Sequence, residues 1–376
     1  MVFLSKPGAH YREGRFFTRE ADKTVVEIHL STPATLRAAA SAVLAAACCN
    51  LLLALFCMPV SAQTGAWTRQ RVGSLAWLHA VFFLDENRGW AVGSKGTLLA
   101  TIDGGKSWQA KAQPAPDVLR DIFFIDDQNG WLVCEVNVYE LKGKEDPRTY
   151  LMQTTDGGET WKRINIRGAN IDARLVRAVF SQGGRGWAFG EEGAIFTTRD
   201  SGESWTRLQS PTRHLLLGGT FIDEDRGWLV GAGATIIQTS DGGETWHLSR
   251  LTDAIQKAIR FAATSFVDNR IGWAVGSGGS IYHTINGGRT WQQQNSGVVT
   301  DLFDVKFLDA VEGWAVGAEG TIIYTNDGGL HWTVEQSGTE HPLERIFFAD
   351  RKHGWTVGFG GTVLSYVRTN APRLSK

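Results

Sequence analysis

Six short loops place an acidic or amide side chain five residues ahead of a tryptophan, beside glycine. Asp103-Gly-Gly-Lys-Ser-Trp108 recurs as Asp156 to Trp161, Asp200 to Trp205, Asp241 to Trp246, Asn286 to Trp291 and Asp327 to Trp332. A carboxylate beside a glycine turn could serve a calcium loop or general acid–base catalysis. One such carboxylate per loop is too few for calcium, and a catalytic group is normally unique rather than repeated. Asp can instead accept backbone N–H bonds within a turn, while Gly supplies the positive φ that the turn needs. Asp103, Asp156, Asp200, Asp241, Asn286 and Asp327 are therefore expected to lock turns, with no metal, no cofactor and no catalytic role. A second set has the chemistry of oxyanion recognition, for which arginine is the best-suited side chain: Arg120, Arg174, Arg177, Arg260 and Arg345, with His79. These residues act together only if the fold gathers them.

Other chemistry finds little support. No His/Cys cluster has zinc spacing, and no Gly-x-Ser-x-Gly elbow is present. Glycine runs such as Gly276-Ser277-Gly278-Gly279 lack the lysine and following helix of a phosphate loop. Cys134 lies in the strand-like run Trp131-Leu132-Val133-Cys134 and is expected to be a buried structural thiol.

The elements that must position these residues come from an internal repeat. Gly-Trp pairs end at Trp90, Trp131, Trp187, Trp228, Trp273, Trp314 and Trp355, at intervals of 41, 56, 41, 45, 41 and 41. One unit reads HAVFFLD, RGWAVGS, GTLLATID and SWQAKAQ. Each piece is a short β-branched or aromatic run bounded by turn residues. Four strands, A to D, in about 41 residues and seven units predict an all-β, seven-bladed β-propeller of four-stranded blades. The seventh unit has no Asp-Gly-Gly-x-x-Trp loop, so the strand near Trp67 (Ala66 to Gln70) should supply its strand D and close the ring. Of the 15 Trp, only Trp77 is then spare, and a sugar platform would rest on it.

Alternating strand directions put the B–C and D–A connections on one face and every Asp-Gly-Gly loop on the other. The two longest departures from the repeat, Glu135 to Arg148 (with Lys142 and Lys144) and Leu251 to Ala263 (with Lys257 and Arg260), both fall on the B–C/D–A face. Binding residues concentrate on loops of a rigid scaffold. Aligning the starts of strand A gives a ring of His79, Arg120, Arg177, Leu217, Ala262, Phe303 and Glu344, with Arg174, Arg213, His214, Arg260 and Arg345 close by. This predicts an arginine-rich channel mouth suited to carboxylates, phosphates or an acidic peptide segment. Arg120 and Arg177, at strand ends, should be replaceable without harm to the fold.

Residues 38–58 form an uncharged run preceded by Arg37 and followed by Val60-Ser61-Ala62. That pattern predicts a signal peptide over 37–62 and a periplasmic or secreted protein. The alternative is an inner-membrane anchor over 38–58, since the run is long enough to span a bilayer. Residues 1–36 are a polar extension, consistent with an over-called start. The propeller is assigned to 63–376, which carries 32 basic and 35 acidic residues, a net of −3. No basic excess points to nucleic acid, and the protein is expected to be monomeric.

Two resemblances follow from these motifs. Thr239-Ser240-Asp241-Gly242-Gly243-Glu244-Thr245-Trp246 resembles the Asp-box of sialidases and related propellers. The combined signature Gly313-Trp314-Ala315-Val316-Gly317, followed by Asp327-Gly328-Gly329-Leu330-His331-Trp332, resembles the photosystem II stability and assembly factor-like propellers and their bacterial relatives. The latter resemblance implies a non-enzymatic, exported propeller that binds a membrane or envelope protein and assists its assembly, with an arginine-rich face for the partner. The alternative is a carbohydrate-binding or sialidase-like glycoside hydrolase propeller, although no Phe/Tyr-Arg-Ile-Pro element is present: Leu343-Glu344-Arg345-Ile346-Phe347 is not one.

Overall fold

The computed structural model describes residues 65–137, 141, 148–164, 173–181, 183–252 and 259–368. The signal segment 37–62, the extension 1–36 and the loop lysines Lys142, Lys144 and Lys257 lie outside them. Seven antiparallel sheets follow one another as blades of a propeller. The innermost strands A are Leu78–Phe83, Val118–Phe124, Leu175–Phe180, Leu216–Phe221, Phe261–Phe266, Leu302–Phe307 and Leu343–Phe348. They pack side by side in a closed ring, the last against the first. Gly65–Arg69 pairs antiparallel with Thr362–Arg368, so the chain start supplies strand D of blade 7 as expected. Blade 5 has a fifth strand that the repeat did not foretell: Arg250–Leu251 runs parallel to its strand D, Thr290–Gln294.

One aromatic contact explains why the motif repeats. The Trp of each Gly-Trp stacks face to face on the Phe that ends strand A of the next blade, as in Trp273 on Phe307 at 3.4 Å and Trp355 on Phe83 at 3.5 Å. The Trp of the Asp-box loop meets the same Phe edge-on, as Trp332 does Phe307 at 88°. Each junction is thus an aromatic sandwich, a large apolar contribution. Blade 7 has no Asp-box, and Trp67 takes the edge-on place against Phe348. The indole N–H of Trp67 and that of Trp314 both donate to Glu335, where other blades offer a loop carbonyl, as Gly242 does to Trp187.

The Asp-box carboxylates close on their own turns. Asp103 accepts from the Thr101 hydroxyl at 2.8 Å and from the Ser107 N–H at 2.9 Å and hydroxyl at 2.5 Å. Those bonds, the Ser107 hydroxyl first, hold its carboxyl down at about 2. Asn286 accepts the same two bonds through Oδ1 without a charge, and its amide donates to the Thr290 hydroxyl where Asp103 accepts from that of Ser107. A Cβ on Gly105, at φ +83°, would come 2.1 Å from Gln70 Oε1, so the turn also needs glycine for space. Cys134 is buried, with its thiol pushed up to about 12 chiefly by burial.

Candidate functional site at the channel mouth

Strand A of every blade carries a β-bulge near its start, seen as a register shift against strand B. A bulge re-aims the unpaired side chain. The skipped residues are His79, Arg120, Val176, Leu217, Ala262, Phe303 and Glu344, and all seven line one cavity of about 420 Å³ at the B–C/D–A end of the channel. The sequence alignment was one residue out in blade 3. That blade lacks the Asp that follows the strand elsewhere, and counting four back from the stacked Phe180 gives Val176, not Arg177.

Arg177 belongs instead to the next layer inward, which reads Ala80, Asp121, Arg177, Gly218, Ala263, Asp304 and Arg345. Four of these are charged. Arg177 Nη2 lies 3.7 Å from Asp304 Oδ1, and Arg345 Nη2 lies 3.8 Å from Asp121 Oδ1. Arg177 and Arg345 are therefore not exposed strand-end charges, since each keeps only 14% of its side-chain exposure. This corrects the expectation that Arg177 can be removed freely: its loss would take from buried Asp304 the nearer of its two guanidinium partners, leaving Arg345 at 4.0 Å. Burial raises both carboxyls, Asp304 to about 6, against the pull of Arg177. Lys306, further along the same strand, is pushed down by burial.

The rim is a mixed-charge network. Arg120 Nε donates to Glu135 at 2.5 Å, Arg174 bridges Glu135 and Glu191 at 3.2 and 3.1 Å, and Arg148 reaches Glu191 at 2.8 Å. The cavity is lined by His79, Arg120, Arg177, Arg260 and Arg345, while Arg174 is tied into this network beside it. Arg213 lies apart, in a groove with Glu192 and Arg207, and His214 bonds Thr235 at 2.8 Å. Arg260 is exposed and forms no ion pair with a described residue. Burial and Arg120 hold His79 down to about 3, so it is neutral at ordinary pH. Trp77 stands at the rim, 40% exposed, edge-on to Phe359 and donating its N–H to Glu344 at 3.0 Å.

The sequence left Asp121, Asp304, Glu135 and Glu191 out of the site. The two Asp could have been found by counting three back from each stacked Phe. Glu135 and Glu191 needed the loop geometry. On the opposite face, Glu86, Asp350 and His353 bring ligand atoms within 4.8 Å of one another. Asp350 and His353 are engaged in their own turn, with His353 Nδ1 2.9 Å from Asp350 Oδ2. Among the described residues no helix is long and apolar enough to cross a membrane.

The family model described as "Photosynthesis system II assembly factor YCF48" matches residues 60–118, 112–214, 208–296 and 293–367. The chloroplastic photosystem II stability/assembly factor HCF136 of Arabidopsis thaliana is 28% identical over 133 residues, 34% of this chain and 30% of that protein. The chain thus matches less than a third of that relative's length. Among solved structures, YCF48 from Cyanidioschyzon merolae superposes with a TM-score of 0.66 at 20% identity, over 81% of this chain and 100% of that one. YCF48 bound to D1 peptide gives 0.67 at 20% identity, over 83% and 98%. At that identity the structural likeness establishes the fold. The family model spans most of the chain, and the chain belongs to the photosynthesis system II assembly factor YCF48 family.

Proposed function

We propose that this protein is an exported, non-enzymatic propeller that binds an acidic segment of a membrane or envelope protein at its channel mouth and assists assembly of that protein's complex. The observation that carries this is the single cavity lined by Arg120, Arg177, Arg260 and Arg345, with Trp77 and Phe303 as apolar neighbours. Arginine forks suit carboxylates, and aromatic side chains beside them suit a peptide. A family member solved with a D1 peptide supports a peptide as the ligand class. The leader-like residues 37–62 support export. An enzymatic role has less to draw on: the Asp-box carboxylates are closed on their own turns, and Asp121 and Asp304 face guanidiniums.

The test is a cross-linked pull-down of tagged protein from solubilised envelope of its own host, with wild type beside Arg120→Ala/Arg260→Ala. Arg260 has no described ion-pair partner, and Glu135 keeps Arg174 when Arg120 is removed, so this pair should spare the fold. The expected result is one membrane protein captured by wild type and lost with the variant, the difference between them narrowing as salt screens the arginines. Capture of glycans, or equal capture by both proteins, would contradict the proposal.

A further inference from the structure

The four charges inside the mouth differ from the rim network in one respect. Rim pairs meet at hydrogen-bonding distance, with Arg120 to Glu135 at 2.5 Å and Arg148 to Glu191 at 2.8 Å. Inside, Arg177 stands 3.7 Å from Asp304, and Arg345 stands 3.8 Å from Asp121 and 4.0 Å from Asp304. The carboxylates are held by backbone instead: Ile122 N–H donates to Asp121 at 3.2 Å and Ile346 N–H to Asp304 at 3.0 Å. Nε and Nη1 of Arg345 are buried and bond to nothing among the described residues. Unmet buried donors on a charged group are costly and call for an acceptor. A guanidinium fork is best matched by two oxygens of one oxyanion. Arg177 and Arg345 both line the cavity of about 420 Å³, which has room for such a group.

The geometry points to a carboxylate-binding position on the channel axis, in which one carboxylate of the partner segment enters between Arg177 and Arg345 while Asp121 or Asp304 takes up one proton from solvent. It rests on the functional reading above and adds where the anion sits and what accompanies it. The charge balances: one negative group enters and one carboxylate is neutralised. The groups facing the pair are Arg177 from blade 3, Lys306 from blade 6, Glu344 and Arg345 from blade 7, and, at the layer above, His79 and Arg120 from blades 1 and 2. Burial and Arg120 hold His79 down to about 3, which makes it a weaker base than the aspartates, so the proton goes to an aspartate. Burial already favours their protonated forms, and an incoming anion favours them further.

The test is titration calorimetry of the full chain with acetylated, amidated hexaglutamate at pH 5.5, 6.5 and 7.5, in buffers of different ionisation heat. The expected result is about one proton taken up per peptide at pH 7.5 and less at pH 5.5, where Asp304 is already largely protonated, with a Kd that rises toward about tenfold per pH unit at the upper end, the limit for one linked proton. Arg345→Lys should weaken binding at every pH, while Asp121→Asn/Asp304→Asn should bind with no proton uptake and no pH dependence. Asp304→Asn alone, expected to reduce the uptake, serves if the double variant melts early. Sulfate, which does not itself titrate here, is the second probe: its binding with the same uptake supports the axial position with a free oxyanion as occupant. Peptide binding without proton uptake, untouched by Arg345→Lys yet lost in Arg120→Ala/Arg260→Ala, would overturn the axial position and leave the mouth as the partner face. Failure of both probes to bind would overturn it as well, and the pull-down would decide the partner face separately.

Discussion

Asp241 and Asn286 hold the same position in successive turns, and the neutral amide accepts both Oδ1 bonds that the carboxylate accepts, while its Nδ2 donates to the Thr290 hydroxyl where Asp241 accepts from that of Thr245. What matters at this position is therefore the acceptor, not the charge. Asp241→Asn should shift Tm by less than about 1 °C, whereas Asp241→Ala, which frees Thr239 and both donors of Thr245, should lower it by roughly 2–4 °C. Thermal melts of both would check this, and equal losses would restore a role for the charge. The inner aspartates behave in the opposite sense. Burial raises Asp304 from 3.8 to about 6, so the folded state holds its proton more tightly than the unfolded chain does. Its contribution is fully present below pH 3.8 and is lost as pH rises through about 6. At about 1.4 kcal/mol per pKa unit, the window is worth on the order of 2–3 kcal/mol. Unfolding free energies of wild type and Asp304→Asn at pH 4 and pH 7 should therefore differ by that amount in the variant's favour at the higher pH. A constant gap would contradict the assignment.

At the scale of the strand, the blade pattern, the closing strand and the packing Trp were legible because each repeats with fixed spacing and obeys local rules. Trp67 stood out as the indole that blade 7 lacked, and it sits edge-on to Phe348. The site was legible only in part. The bulges were not, because a skipped residue leaves no mark in an alternating pattern, and blade 3 slipped by one for want of its guiding Asp. The ion pairs were hidden because Glu135 and Glu191 meet Arg174 from different blades. The closing seam carries the clearest test at this scale. Glu335 binds Trp67 and Trp314, and buried Glu312 is gripped by Arg351 and Arg368. A chain beginning at Leu75 loses strand D of blade 7 and should melt far lower than the 63–376 chain, or lose solubility, through an open edge. Glu335→Ala leaves two indole donors without that acceptor and should cost about 1–3 kcal/mol. Superposable melting curves for the 63–376 and Leu75-start chains would refute closure as the source of stability.

The whole molecule presents two unlike faces. On one, the Asp-box turns consume their own polar groups and expose scattered apolar residues such as Ile102 and Leu330. On the other, seven bulged side chains and a set of arginines converge on one cavity. Recognition is expected on loops mounted on a rigid frame, which places the docked partner on the channel-mouth face. Site-specific photo-cross-linking in the host tests it most directly, with a benzophenone amino acid at Val299 or Arg260 on the mouth face and, for comparison, at Ile102 or Leu330 on the Asp-box face. All four positions are exposed. One discrete membrane-protein adduct is expected from Val299 and Arg260 and none from Ile102 or Leu330. Adducts from the Asp-box face alone, or equally from both faces, would contradict that placement.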